Sequence, residues 1–376
     1  MKVLVVGAGF AGIAAALAAR RAGASVTVVR SGPGASSLYA GVVDGQFSAP
    51  DSSAASELAR GLGLQLGSGT VVATREGVVR GAAGADGALL DLGPLAGRRI
   101  GVVDVPRDDW DAPLLVRSFV ASSWARSTGT RFELVPLELL ERGHQRRVAS
   151  YDFAISFERA ERSGWLTEVL KAHAGPDAWL FGPWLGVSRE LARELAASVR
   201  VPVGEVTSPP GGVAGARFDL RSAALLRALE VSLAAAPAVH VESAERGVGL
   251  VLADGTKLAG DALVLASGGI ISGALELRGA LSGAEPAGVE LALTGLPPVV
   301  ASGELSASVS SLFGVDLASR GRRLLERVGV PVTAGGSVVG APRVFAAGDV
   351  LAPEVPSVAH ALESGLRAGA RAAAAW

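Results

Sequence analysis

The first thirty residues constrain the fold more than any other segment of the chain. Residues 3–12 read Val-Leu-Val-Val-Gly-Ala-Gly-Phe-Ala-Gly, an apolar run that ends in a glycine turn. An alanine-rich segment follows over residues 13–22, and a second apolar run occupies residues 25–29. This order predicts a strand, a tight turn, a helix and a second strand, which together form a βαβ unit.

The glycines of this turn have the spacing G-x-G-x-x-G. In such a turn the first glycine permits the sharp change of direction, the second lets a pyrophosphate approach the backbone, and the third lets the helix pack against the strand. The helix N-terminus offers free N–H groups and a partial positive charge to phosphates. We therefore predict a dinucleotide diphosphate site at Gly7, Gly9, Phe10, Ala11 and Gly12. The alternative is a glycine turn that binds nothing.

The second strand ends at Arg30, where an NAD enzyme usually carries an acidic residue that binds the ribose hydroxyls. An arginine here predicts either a site for the 2′-phosphate of NADP or a ribose that is held differently. The following loop, residues 31–45, is rich in glycine and serine, so it exposes N–H groups and hydroxyls to a diphosphate or a flavin edge. Its candidate cofactor contacts are Ser36, Ser37 and Gly41. A flexible surface connection is the alternative interpretation of this loop.

Composition excludes several kinds of chemistry. The 376 residues include no cysteine, so disulfides, thiolate catalysis and cysteine-ligated iron–sulfur clusters are excluded within the chain. The four histidines lack metal-ligand spacing, and no metal site is predicted. The net charge of −1 does not indicate nucleic-acid binding. No apolar run is long enough to span a membrane, and we expect a cytoplasmic protein without a signal peptide.

The middle of the chain differs in character from its ends. Most tryptophans lie between residues 110 and 201, where helical patterns recur over residues 113–127, 158–174 and 188–199. We expect an inserted α+β domain there, not a continuation of the first sheet. A glycine-rich loop then leads into an amphipathic helix predicted over residues 220–233.

Two late segments resemble the edges of a cofactor crevice. Residues 261–269 predict a buried parallel strand that ends in small residues, as a dinucleotide crevice requires. Residues 343–349 predict another strand, and a helix capped by Ser357 is expected to follow it. The candidate cofactor contacts of these segments are Ala266, Ser267, Gly268, Gly348, Asp349, Ser357 and Val358.

In this order, the three motifs resemble flavoproteins of the two-dinucleotide-binding-domain type. The resemblance implies an α/β fold with a Rossmann-like, discontinuous FAD-binding domain of the GR2 type and an inserted α+β substrate or cap domain. It implies that Asp349 binds the flavin ribitol and that the last helix points its N-terminus at the flavin ring. We assign residues 1–95, 205–275 and 336–376 to the first domain, and residues 96–204 and 276–335 to the second.

A narrower resemblance is to the B subunit of anaerobic glycerol-3-phosphate dehydrogenase. It rests on the Arg-Ser-Gly end of the second strand, the small-residue loop 34–44, the Pro-Gly-Gly loop before Arg217 and the stretch 266–273. It implies oxidation of glycerol 3-phosphate, with electrons passed through other flavoprotein and iron–sulfur subunits to quinone at the inner face of the membrane. That family is commonly assigned FMN. We expect FAD, since the glycine turn is built for a pyrophosphate, and FMN is the alternative.

Hydride transfer from an alcohol to a flavin needs a base that takes the hydroxyl proton. His360, in the first turn of the last predicted helix, is our candidate base, and Arg217 is our candidate holder of a substrate anion. Packing of His360 against a neighbouring element is the alternative. Two other functions stay open: a non-catalytic or electron-relay FAD subunit, and an NADP enzyme that uses Arg30.

Overall fold

The computed structural model describes residues 1–47, 53–140, 142–173, 175–278, 288–296, 300–301, 328–351 and 356–375. The chain divides into two compact units. Unit 1 comprises Met1–Ser36, Gly45–Leu58 and Ser222–Trp376, and unit 2 comprises Ser37–Asp44 and Ala59–Arg221. Within the described residues, no helix combines the length and the apolar composition needed to cross a membrane.

The described elements are numbered in chain order. The strands are β1 (Lys2–Val6), β2 (Ser25–Val29), β3 (Val42–Val43), β4 (Leu64–Ala73), β5 (Val79–Asp86), β6 (Arg99–Asp104), β7 (Arg131–Pro136), β8 (Ala178–Phe181), β9 (Val203–Glu205), β10 (Ser232–Ala234), β11 (Ala238–Ala244), β12 (Gly247–Leu252), β13 (Lys257–Gly260), β14 (Ala262–Leu265), β15 (Leu275–Arg278), β16 (Gly288–Leu291), β17 (Val300–Ala301), β18 (Val328–Gly329), β19 (Ser337–Val338) and β20 (Ala341–Ala346). The α-helices are α1 (Phe10–Arg21), α2 (Ser53–Leu62), α3 (Ala112–Val120), α4 (Ser123–Thr128), α5 (Ser150–Phe157), α6 (Ala160–Ala172), α7 (Leu191–Val199), α8 (Val213–Ala228) and α9 (Val358–Ala374).

Unit 1 is built on a six-stranded sheet with the order β10-β2-β1-β14-β20-β19. The first five strands of this order pair in parallel, and only β19 runs antiparallel. The predicted βαβ unit is present, with Val3 of β1 opposite Val26 of β2 and Ala262 of β14. Leu4 and Val6 pack in one cluster with side chains of the antiparallel sheet β11-β12-β13. The predicted α/β fold is confirmed.

Helices α1 and α9 cover the sheet through small side chains. A Cβ atom on Gly365 would lie 2.3 Å from the backbone oxygen of Ala11, and one on Gly369 would lie 2.1 Å from that of Ala15. The two helix backbones therefore approach one another more closely than larger residues would permit. This contact brings the C-terminal helix against the first helix of the chain.

The last residues of one predicted helix form a strand of this sheet instead. The helical pattern over residues 220–233 predicts a single helix, but α8 ends at Ala228 and Glu230 adopts a positive φ of 54°. Leu233 then pairs in parallel with Val28 in β10. The unpaired backbone groups at the edge of β2 are satisfied in this way, which outweighs the local helical preference.

Unit 2 contains two separate sheets. The first is the antiparallel sheet β3-β5-β4. The second sheet has the order β7-β6-β8-β9, and all of its strand pairs are parallel. This sheet is separate from the sheet of unit 1, and the sequence analysis identified helical patterns but none of its strands between residues 110 and 201. Its strands are short and apolar, and the stronger helical periodicity around them concealed them.

The predicted domain boundaries stay a prediction, and the division into compact units differs from them. Residues 59–95 and 205–221 were expected in the FAD-binding domain, but they belong to unit 2. The second predicted cap segment, residues 276–335, falls mostly outside the described residues.

The predicted helix over residues 113–127 is divided into α3 and α4, because Ser122 caps a new helix by accepting a hydrogen bond from the N–H of Ala125.

Candidate functional site

The glycine turn after β1 is held by two very close backbone contacts. Gly7 has a positive φ of 110°, and a Cβ atom there would lie 2.1 Å from the backbone oxygen of Ala266. A Cβ atom on Gly12 would lie 2.0 Å from the backbone oxygen of Gly7. Only glycine fits at both places, so the turn presses the start of α1 against the ends of β1 and β14.

Gly9 lies opposite the serine of the following loop. The N–H of Phe10 donates to the Ser36 hydroxyl oxygen over 3.1 Å, and a Cβ atom on Gly9 would lie 2.7 Å from that oxygen. Gly9 is the N-cap of α1 and contributes no side-chain cap. A serine oxygen therefore lies at the helix N-terminus, where an anionic oxygen of a phosphate is also stabilised.

The end of β14 presents a buried hydroxyl. Among the described residues no group hydrogen-bonds to the Ser267 Oγ atom, which is buried. Gly268 has a positive φ of 85°, and a Cβ atom there would lie 2.3 Å from the Ser272 Oγ atom. Burial of an unsatisfied hydroxyl is costly, so this oxygen is well placed to bond to a ligand. The geometry of Ser267 is compatible with a cofactor contact, and that role stays a prediction.

The Gly-Asp motif after β20 lies beside both of these segments. Gly348 has a positive φ of 75°, and a Cβ atom there would lie 2.8 Å from the Ala11 Cβ atom. A Cβ atom on Gly269 would lie 3.1 Å from the backbone oxygen of Asp349. The N–H of Gly348 donates to the Ser364 hydroxyl over 2.9 Å, which ties the motif to α9. Residues from the start and the end of unit 1 therefore meet here.

Asp349 and His360 lie near one another at this place. Burial raises the pKa of the half-buried Asp349 carboxyl, and the positive charge of His360 lowers that pKa in part. Ser357 caps α9 by accepting a hydrogen bond of 3.1 Å from the N–H of His360. The loop after β3 approaches this helix start, since a Cβ atom on Gly45 would lie 2.5 Å from the Ser357 Oγ atom.

Unit 1 thus brings together most of the predicted cofactor contacts. They are Gly7, Gly9, Phe10, Ala11, Gly12, Ser36, Ala266, Ser267, Gly268, Gly348, Asp349, Ser357 and Val358, with the predicted base His360 beside them. These segments provide a glycine-lined helix N-terminus, a buried hydroxyl and a carboxylate, which are the groups that a dinucleotide needs. Arg30 donates its backbone N–H to the oxygen of Ala234 over 2.9 Å, and its role toward a ribose stays a prediction.

Ser37 and Gly41 belong to unit 2, where local packing accounts for their small size. The Ser37 hydroxyl bonds to the Asp219 carboxylate at 3.2 Å. A Cβ atom on Gly41, whose φ is 100°, would lie 2.6 Å from the Leu89 side chain. Their role as cofactor contacts stays a prediction.

Arg217 is fully engaged in a buried ion-pair cluster of unit 2. Its guanidinium donates to Asp86 over 3.3 Å, to Glu205 over 2.5 Å and to the backbone oxygen of Gly186 over 2.8 Å. Burial raises the pKa of Glu205, whereas the charge of Arg217 lowers it. Since two carboxylates already neutralise a guanidinium that is 1% exposed, the geometry does not support Arg217 as a substrate-anion holder.

Sequence reasoning missed the partners of Arg217. Glu205 interrupts the apolar run Val203-Gly-Glu-Val206, and Asp86 ends β5. A lone acidic residue inside a buried strand is expected to have a cationic partner, so the pattern carried a usable signal. The identity of that partner depends on which helix packs there, which no local pattern specifies.

Other basic side chains that could act as a base or hold an anion already have polar partners. The Nδ1 atom of His240 lies 2.9 Å from the Thr294 hydroxyl. Arg146 and Arg147 pair with Asp108 at 3.6 and 3.2 Å. This cluster therefore matches a solvated charged face better than an anion site.

The sequence itself matches a known family over its N-terminal part. Residues 2–59 match the family model described as an FAD binding domain. The matched segment contains the glycine turn, both strands of the βαβ unit and Ser36. The cofactor is FAD. The FMN alternative finds no support, and the flavoprotein expectation is confirmed. No curated protein matches the sequence.

Several solved structures are similar to this chain at low identity. An oxidoreductase from Agrobacterium tumefaciens is 14% identical, with 99% of this chain and 97% of that chain covered and a TM-score of 0.26. The 3-ketosteroid-Δ4-(5α)-dehydrogenase from Rhodococcus jostii RHA1, solved with 4-androstene-3,17-dione, is 14% identical, with 99% and 96% covered and a TM-score of 0.36. CtdE in complex with FAD is 9% identical, with 97% and 82% covered and a TM-score of 0.37. Structural similarity at such low TM-scores says nothing about the activity of this chain.

The FAD-binding match supports the class of flavin-dependent oxidoreductases. It gives no support to the finer expectations, namely the B subunit of anaerobic glycerol-3-phosphate dehydrogenase, glycerol 3-phosphate as the substrate and quinone as the acceptor. Those expectations depend on the sequence resemblance alone.

Proposed function

We propose that this chain is an FAD-dependent dehydrogenase subunit that oxidises a small polar alcohol and passes the electrons to a partner protein. The observation that carries the proposal is the meeting of the glycine turn, Ser267, Asp349 and His360 within unit 1. This arrangement combines groups that can bind a dinucleotide with a group that can accept a proton.

Each of these segments has a distinct task toward the cofactor. The N-terminus of α1, with Gly9 and Ser36 beside it, binds the diphosphate. The Ser267 hydroxyl and the Asp349 carboxylate bond to polar groups of the ribityl part, which satisfies the buried hydroxyl. The capped N-terminus of α9 supplies a partial positive charge.

The chemistry follows from the position of His360 beside Asp349. Bound FAD supplies an acceptor for the hydride that leaves the alcohol carbon. A neutral His360 ring takes the hydroxyl proton, and the Asp349 carboxylate stabilises the resulting cation. The pair thereby holds the proton that the alcohol loses when it becomes a carbonyl compound.

The finer proposal names glycerol 3-phosphate as the alcohol, dihydroxyacetone phosphate as its product and quinone as the final acceptor. Its support is the sequence resemblance of the N-terminal loops and of residues 266–273. Because the chain has no cysteine, the iron–sulfur clusters of such an assembly would be carried by partner subunits.

The decisive experiment is anaerobic reduction of the purified FAD-loaded chain by glycerol 3-phosphate, followed by flavin absorbance. Bleaching supports the proposal, and His360→Asn should slow it while leaving the FAD content unchanged. The exposed His173, whose ring bonds to the backbone oxygen of Val169, offers the matched control His173→Asn. A chain that dithionite bleaches but glycerol 3-phosphate does not is not an autonomous glycerol-3-phosphate dehydrogenase.

A second candidate is a non-catalytic or electron-relay FAD subunit. The engagement of Arg217 with two buried carboxylates favours it, since the predicted anion holder is not available to substrate. In that case the chain should be reduced only by its partner protein. Substrate alone, at any concentration, should then leave the flavin band intact.

A further inference from the structure

The parallel sheet of unit 2 has the strand order that creates a ligand crevice. From β6 the chain moves to β7 on one side, and it then returns to place β8 on the other side of β6. Because crossover connections are right-handed, the helices that follow β6 and β8 leave toward opposite faces of the sheet. A crevice therefore opens outside the carboxyl ends of these two strands, and ligands of open α/β sheets bind at such points.

A cavity of about 650 Å³ lies at this edge. Its walls come from the segment that leaves β6, from the first turns of α3, and from Pro183 and Pro209, which follow β8 and β9. The volume lies within the range of roughly 300–1,000 Å³ that is typical of small-molecule sites. Topology and cavity thus point independently to the same place.

Most charged groups of the wall are already neutralised. Arg107 has a side chain with 0% exposure, donates to both carboxylate oxygens of Asp109 at 2.9 Å and lies over the Phe153 ring at 4.5 Å. Asp108 pairs with two arginines of the neighbouring surface. Arg75 lies 4.0 Å from Glu76. These groups offer little net charge to a ligand.

Two carboxylates remain to set the charge of the cavity. Asp104 ends β6, and within the described residues its carboxylate has no hydrogen bond and no ion pair. Asp111 caps α3 by accepting from the N–H of Leu114 over 2.9 Å, and it repels Asp104 electrostatically. A cation between like charges removes this repulsion, so the cavity favours a positively charged ligand.

The remaining wall is apolar. Trp110 and Leu115 are buried beside the two aspartates, while the exposed Leu114 side chain and four prolines complete the lining. Among the described residues no group of three or more acidic or histidine side chains is arranged to hold a metal ion. An amphipathic organic cation therefore fits this wall better than a divalent metal.

We propose that this cavity binds a small organic ammonium ion, with its ammonium group between Asp104 and Asp111 and its apolar part against Trp110, Leu114 and Leu115. The site shares no residue with the predicted cofactor contacts, and every residue that forms it belongs to unit 2.

Three probes of the same shape but different charge test the proposal by calorimetry on the full FAD-loaded chain. They are 2-phenylethylamine, which is cationic, 2-phenylethanol, which is neutral, and 3-phenylpropionate, which is anionic. We expect the amine to bind at least about tenfold more tightly than the alcohol, since a charge-assisted hydrogen bond is stronger than a neutral one. The anionic probe 3-phenylpropionate should not bind.

Variants locate the binding in the cavity. Asp104→Asn should lower the affinity for the amine to that for the alcohol, and the exposed Asp152→Asn on α5 is the matched control, which should bind like the parent. Leu114→Arg adds a cation at a side chain that is 49% exposed, so it should abolish amine binding without disturbing the core. Equal binding of the three probes, binding unaffected by Asp104→Asn and Leu114→Arg, or no binding of the amine would overturn the proposal. Tighter binding of Mg²⁺ than of the amine would overturn it as well.

Discussion

At the residue scale, Gly9 and the Ser36 hydroxyl lie close together at the N-terminus of α1. A Cβ atom on Gly9 would lie 2.7 Å from the Ser36 hydroxyl oxygen, and we propose that the diphosphate of FAD occupies the same space. We therefore expect a substitution at Gly9 to act on cofactor binding.

Gly9→Val should abolish FAD retention, because its branched side chain would fill the place of the diphosphate. The measurement is the flavin-to-protein absorbance ratio after gel filtration. Gly129→Ala is a suitable control, since no atom lies within 4 Å of a Cβ there, although its φ of 70° makes it mildly strained. A Gly9→Val protein that keeps its full FAD content would contradict the assigned site.

At the same scale, the buried ion-pair cluster around Arg217 depends on each of its three charged side chains. Three side chains, Arg217, Asp86 and Glu205, are nearly inaccessible to water, with exposures of 1%, 2% and 0%. Such a cluster adds little to stability over an apolar packing, but the removal of one partner leaves a buried charge without compensation.

Arg217→Met should lower the free energy of unfolding by about 3–5 kcal/mol, the usual cost of breaking a buried ion pair. Urea denaturation measures the effect. The exposed Arg227→Met on the same helix should change the value by less than about 0.5 kcal/mol, as is usual for surface sites. Similar stabilities of the two variants would show that the cluster is solvated.

At the element scale, Glu158 joins the connection between α5 and α6 to the segment before α7. Its carboxylate accepts hydrogen bonds from the N–H groups of Val187, Ser188 and Arg189 at 2.5, 2.6 and 3.0 Å. Partial burial raises the pKa of Glu158, but these bonds outweigh burial and lower it below the ordinary value of 4.5. One ionised side chain therefore satisfies the free N–H groups of a whole turn.

Glu158→Gln should lower the free energy of unfolding by about 1–3 kcal/mol at neutral pH, because the bonds to the charged acceptor are weakened. The pKa is lower in the folded than in the unfolded chain, so the stabilisation is complete above the unfolded value near 4.5 and is lost as the pH falls below it. Denaturation at a series of pH values measures this. The two proteins should converge toward low pH, and a constant difference would contradict the role of the charge.

At the scale of the whole molecule, the proposed FAD site joins segments that are distant in the sequence. The glycine turn near residue 9 and the motif at Gly348 meet through Ala11, although more than three hundred residues separate them. A ligand that binds only when these segments are assembled stabilises the folded state by mass action.

Added FAD should therefore raise the melting temperature of the cofactor-free chain in proportion to the logarithm of its concentration. At a hundredfold excess over Kd the stabilisation is about 2.7 kcal/mol. Differential scanning fluorimetry measures the shift, with adenosine diphosphate as a partial ligand that should give a smaller one. Gly9→Val should show no shift, and a parent protein that does not respond to FAD would contradict an assembled site.

The sequence predicted the features that depend on residues close together in the chain, but not those that depend on residues far apart in it. The βαβ unit, the capped helix after Ser357 and the strand before Gly348 are specified by local patterns, and the structure contains all three. The strand at Ser232–Ala234 was mistaken for helix, since its pairing partner lies about two hundred residues away in β2. Local propensity carries no information about such a partner.

The amino-acid sequence by itself predicted a dinucleotide-binding turn near residue 9, because glycine spacing and strand-to-helix order are local properties, and the family match over residues 2–59 identified FAD as the cofactor. Only the tertiary structure decided that Arg217 is held by Asp86 and Glu205, and that the segments following β6 and β8 line one cavity. Both outcomes depend on which strands and helices become neighbours. That choice follows from the burial of the whole apolar surface, which no single segment encodes.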